Sequence, residues 1–199
     1  MKKILCLALA LCLVFALAAC GSDPDDGANY DGSTPTDLTA PSTAPTPTPD
    51  PQPLETLSIN GIEIIRGGQL TNLGVKGFEY ADGVLTMDSV SLERDSANTP
   101  IISFAGGDLE IAVKGECSLS VTGGASAISG DGSALTFSGD GSLTVSAADG
   151  TAIDLSGAVT VGCALSATGS TACTSSNVTA ASGYSITAND GATLTVAAA

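Results

Sequence analysis

Few residues in this chain are equipped for chemistry, and two carboxylates stand out. Gly115-Glu116-Cys117-Ser118-Leu119-Ser120-Val121 matches Gly139-Asp140-Gly141-Ser142-Leu143-Thr144-Val145 position for position, at a spacing of 24 residues. If the two runs stack as neighbouring strands, Glu116 and Asp140 take equivalent outward positions ~4.8 Å apart, the strand spacing. Like charges that close repel unless a cation or proton sits between them. Calcium suits the role, because it takes hard oxygen ligands in irregular geometry. Glu116 and Asp140 are thus the candidate metal ligands, and calcium is the one cofactor the sequence raises. The plainer reading stands beside it: two solvated turn residues next to Gly115 and Gly141.

Other chemistry is scarce. The chain has no His and no Trp. Ser and Thr abound, but no imidazole is there to activate one. Arg94 and Lys114 are the only cations of the repeat region, so a polysaccharide lyase could draw its base only from them. These absences argue against an enzyme. Of the six cysteines, Cys117, Cys163 and Cys173 lie in the repeats. Two coils separate Cys117 from Cys163, or roughly 10 Å at the strand spacing, too far for a disulfide. All three read as buried small hydrophobes, with Cys163–Cys173 the one pair worth testing. None has metal-site spacing. The Gly-Asp-Gly triplets at 130–132 and 139–141 lack the tandem pattern of calcium-binding nonapeptide repeats.

The elements that position these residues follow from the repeat. Leu109/Ile111/Val113 and Leu135/Phe137 alternate ahead of the matched runs, and Ala127-Ile128 and Ala152-Ile153 follow them. A shorter unit adds Val159/Val161, Cys163/Leu165/Ala167 and Ala172-Cys173. Alternation at period two is the strand signal, and the intervening Gly, Asp, Asn and Ser form turns. Three strands per repeat of roughly 20 to 26 residues predict an all-β chain, a single-stranded parallel β-helix of about four to five coils. Parity turns Cys117, Leu119, Val121, Leu143, Val145, Cys163, Leu165 and Ala167 inward, with Phe104 and Phe137. Ser118, Ser120, Ser142, Thr144 and Ser166 then face water. Such a narrow interior leaves no pocket, so a ligand would bind an outer face or a turn edge.

Four segments result. Residues 1–19 read as a secretory signal, with Lys2 and Lys3 ahead of the apolar run Ile4 to Leu17. Leu17-Ala18-Ala19-Cys20-Gly21 resembles the lipobox of bacterial lipoproteins. The resemblance implies that Cys20 carries lipid and that the bilayer is a partner. Residues 20–53, rich in Pro, Thr and Asp, read as a disordered linker that could reach up to ~100 Å at about 3.1 Å per residue. Residues 54–82 read as an N-terminal cap or degenerate coil, and 83–199 as the repeats. A last coil is expected from Val178, Tyr184-Ser185-Ile186 and Leu194-Thr195-Val196. No amphipathic cap follows it, so the final strands cap themselves, a partner covers them, or related chains run longer.

Charge narrows the partners. The formal net charge is −15, and beyond residue 20 only Arg66, Lys76, Arg94 and Lys114 face all 21 acids. With no basic surface for phosphates, nucleic acid is excluded as a partner.

The lipobox, the Thr-Pro tether and the Gly-Ser-Leu-Thr-Val-Ser-Ala repeat form between Gly132 and Ile153 together resemble a family. The chain is similar to bacterial surface lipoproteins with a carbohydrate-binding, pectate-lyase-like parallel β-helix. The resemblance implies calcium and an acidic or cellulosic polysaccharide, but carries over no binding residue. The expectation is therefore an extracytoplasmic lipoprotein, anchored at the bacterial cell surface, that presents a carbohydrate-binding module to cell-wall or environmental polysaccharide. A structural or adhesive β-solenoid without a glycan ligand is the runner-up, and a lyase the third reading.

Overall fold

Alternating branched and small polar residues make short strands, and the Gly-rich corners between them let the chain turn onto its next face. The computed structural model describes residues 53–72, 75–132 and 134–199. The signal segment, Cys20 and the linker up to residue 52 lie outside the described residues.

The chain enters through an antiparallel meander of β1 (Thr56–Ile59), β2 (Ile62–Arg66) and β3 (Gln69–Leu70). Its turns are Asn60-Gly61 and Gly67-Gly68, all four at positive φ, the backbone of type I′ hairpins. A second hairpin joins β4 (Phe78–Ala81) to β5 (Val84–Asp88) through Asp82-Gly83, at φ 52° and 85°.

From β5 the chain winds. The first coil continues through β6 (Ser91–Asp95) and β7 (Ile102–Ala105), and the second holds β8 (Leu109–Lys114), β9 (Glu116–Thr122) and β10 (Ile128–Asp131). In the third, β11 (Leu135–Ser138) is followed by the long β12 (Ser142–Leu155), which serves two faces and breaks register between Ala147 and Thr151. Next come β13 (Val159–Val161), β14 (Ala164–Cys173) and β15 (Val178–Ala180). One face stacks β5, β8, β11, β13 and β15 in parallel. A second stacks β6, β9 and the first halves of β12 and β14, and a third stacks β7, β10 and their second halves. This is the expected parallel β-solenoid, but with about three turns where the repeat predicted four to five coils.

The ends differ from the coils. β1 lies antiparallel against β7, so residues 54–82 cover the first coil rather than forming one. The expected last coil does not close as a coil either. β16 (Tyr184–Asn189) and β17 (Thr193–Ala198) form a hairpin at Asp190-Gly191, and β17 runs antiparallel along β14. The physical reason lies in that turn: Asp190 Oδ1 accepts from the amides of Ala192 and Thr193, and the reversal brings Leu194 and Val196 back over Ala167 and Leu165. The final strands thus cap themselves.

The core consists of columns of apolar side chains, one per rung. Leu85, Ile111, Phe137 and Val161 stack on one face, and Ile102, Ile128, Ile153 and Cys173 on another. Phe137 is wholly buried and Phe104 nearly so. Gly130 lies opposite Phe104, and a side chain there would collide with the Phe104 ring and with Leu155. The first Gly of that Gly-Asp-Gly triplet therefore makes room for an aromatic side chain in the core.

Candidate functional site

The carboxylate pair can now be placed. Glu116 lies opposite Ser142, and Cys117 and Leu119 lie opposite Leu143 and Val145. The structural repeat here is therefore two residues longer than the sequence match. Glycine causes the slip. Gly139 passes over Val113 and Gly141 over Gly115, so closely that a Cβ on either would overlap backbone atoms below. These two contacts put Asp140 at the level of Lys114, not of Glu116. The equivalent stacking expected of Glu116 and Asp140 as a calcium-holding pair does not form. Among the described residues, no group of three or more Cys, Asp or Glu is arranged to hold a metal. Because the slip is even, parity survives it: Cys117, Leu119, Leu143, Val145, Leu165 and Ala167 remain buried.

The cysteines are free, Cys117 and Cys163 buried and Cys173 half-buried. Burial, reinforced by nearby Cys117, pushes the Cys163 thiol up to about 11. Burial likewise raises Cys173. A raised thiol is a poor nucleophile.

Two outer surfaces offer polar groups. On the second face, Ser91, Ser118, Thr144, Ser166 and Thr195 form one column, and Glu93, Ser120, Ser146, Thr168 and Thr193 the next. Ser91 and Ser118 share a hydrogen bond at 2.9 Å, and Ser146 donates to Ser120 at 3.0 Å. A depression of about 480 Å³, with Glu116, Ser142 and Thr144 in its lining, opens here. These hydroxyls partly satisfy one another, and the depression has no aromatic wall.

The other surface is a groove of about 440 Å³ where the first coils meet the N-terminal cap. Leu54, Val84 and Leu109 give it an apolar lining, and Tyr80 an aromatic one. Tyr80 is held by the β4–β5 hairpin opposite buried Leu85, and its burial raises the phenol above its ordinary range. Asp82, Asp108, Glu110 and Thr136 add polar groups. Asp82 is presented by the hairpin turn. Asp108 Oδ1 accepts from the Ala134 amide at 2.9 Å, and Glu110 Oε1 from the Ser138 hydroxyl at 2.6 Å. An apolar lining with a few positioned polar groups, on this scale, is the usual form of a small-ligand site.

Sequence reasoning looked for aromatic groups within the coils and passed over Tyr80 in the cap. The available signal was Asp82-Gly83 between two alternating runs, a strong hairpin signature. Neither Arg94 nor Lys114 lines this groove. Arg94 donates to the Asn60 side chain at 2.9 Å, and Lys114 lies opposite Asp88. The two bases a lyase would need are thus outside it.

No protein-family model matches the chain, and no curated protein or solved structure does either.

Proposed function

We propose that this chain is an extracytoplasmic lipoprotein, anchored through Cys20, whose β-solenoid binds carbohydrate in the groove beside Tyr80. The groove carries the reading: an aromatic wall, an apolar lining and hydrogen-bonding groups at its rim match what a sugar presents, a C–H face edged with hydroxyls. The anchor rests on the lipobox-like Leu17–Gly21 segment and on the charged, then apolar, start of the chain. The likeness to carbohydrate-binding surface lipoproteins points the same way. Catalysis has no part in this reading: the carboxylates of the groove are given a binding role, and neither Arg94 nor Lys114 lines it.

The test is a glycan array probed with the full-length protein and with a Tyr80→Ala variant. Binding to a defined sugar class that the variant loses supports the reading. An array that stays empty removes it. The hydroxyl columns of the second face favour a second reading, a structural or adhesive solenoid. It would lead if cells or surfaces were bound while every glycan was ignored.

A further inference from the structure

Resting on the glycan reading of the Tyr80 groove, we propose that its ligand is an amine-bearing polysaccharide, a glucosamine polymer with free amino groups. Three carboxylates line the groove, Asp82 from the hairpin turn and Asp108 and Glu110 from the next coil. Two of them are fixed by the hydrogen bonds to Ala134 and Ser138. Among the described residues they do not form a metal-holding cluster of three. Three anionic groups in one groove suit a chain that carries repeated positive charge.

The basic residues are placed elsewhere. Arg66 pairs with Glu63, Arg94 donates to Asn60, and Lys114 faces the level of Asp88 and Asp140. Lys76 precedes the β4–β5 hairpin, and none of the four lines the groove. A uronate would therefore bring its charge to three carboxylates with no cation to meet it, at a cost in affinity. Residues 53–199 carry fifteen acids against four bases, a field that draws in a cationic chain and adds salt dependence to its binding. The Tyr80 ring supplies a surface for the sugar and a π-face for an ammonium group.

The experiment titrates the full-length protein with glucosamine oligomers, their N-acetylated counterparts, galacturonate oligomers and neutral β-glucan oligomers, at low and high salt. Asp108→Asn and Glu110→Gln keep the acceptor oxygens for Ala134 and Ser138 while removing charge. Asp190→Asn, in the far hairpin, controls for overall charge. The expected result is at least tenfold preference for the free-amine oligomer over its N-acetylated form, weakened by salt. Asp108→Asn and Glu110→Gln should each reduce it several-fold, and Asp190→Asn should leave it intact. N-acetylated, neutral or galacturonate oligomers bound equally well or better would overturn this inference and leave the glycan reading standing. Binding lowered alike by all three variants would overturn it as diffuse attraction to an acidic surface. No binding to any sugar would remove both.

Discussion

Gly141 crosses over Gly115 so closely that a Cβ at 141 would stand 2.9 Å from the Gly115 nitrogen and nearer still to its carbonyl oxygen. The Gly141 amide donates to the Val113 carbonyl at 3.1 Å, and the Ser142 amide to the Gly115 carbonyl at 2.9 Å. This corner therefore fixes how the third coil seats on the second.

Gly141→Ala should destabilise the solenoid by about 1–3 kcal/mol, the usual cost of forcing atoms into filled space. The obstructing atoms are backbone and cannot swing aside. Urea unfolding checks this. A midpoint that falls with an unchanged slope is the expected outcome, and an unchanged midpoint would mean that the corner relaxes freely.

Phe137→Ala should cost about 3–5 kcal/mol, since it empties a fully buried position in mid-column. Thr144→Ala, on the exposed hydroxyl column, should change stability by less than about 0.5 kcal/mol. Thermal melts of the two variants, compared with wild type, test the inward and outward assignment directly.

Cys163 gives stability an alkaline dependence. Its folded thiol is raised to about 11 from an ordinary 9.0, so the unfolded chain loses this proton first as pH rises. The contribution is complete below pH 9 and is lost as pH passes through 11. Cys173 and Tyr80 are raised too and act in the same direction. Unfolding midpoints should fall across that window, less steeply in Cys163→Ala. Below pH 9, iodoacetamide should label Cys163 only after unfolding. Rapid labelling of Cys163 in the folded protein would contradict its burial.

Cys20→Ala should abolish incorporation of labelled fatty acid and release the protein from the membrane fraction. Retention of the lipid label by the variant would rule out Cys20 as the anchor.

How much the sequence disclosed depended on whether the signal was local or between coils. Period-two alternation made the strands and their faces legible, down to Cys173 at the level of Ile153 and Ile128. The coil-to-coil register was misplaced by two residues, because the best-matching letters, Gly-x-x-Ser-Leu, are not the atoms in contact. Backbone closeness at Gly139 and Gly141 decides the register, and it becomes visible only once one coil lies on another. The slip parts Glu116 from Asp140 but keeps every face, since an even slip preserves parity. The C-terminal hairpin was hidden for a related reason. Strands of a coil and strands of a hairpin share the same alternation, and only Asn189-Asp190-Gly191 marked the reversal. The Tyr80 groove could not be read at all, because it joins the cap, the hairpin turn and three successive rungs.

The most direct measurement is a calorimetric titration of the full-length protein with a soluble glucosamine oligomer and its N-acetylated form, using wild type, Tyr80→Ala and Thr144→Ala. Melting curves run alongside confirm that each variant is folded. If the groove is the carbohydrate site, wild type and Thr144→Ala bind at least one oligomer equally, and Tyr80→Ala loses tenfold or more. Loss in Thr144→Ala with Tyr80→Ala unaffected would move the site to the hydroxyl face. No heat with either oligomer would leave the structural or adhesive solenoid as the better description.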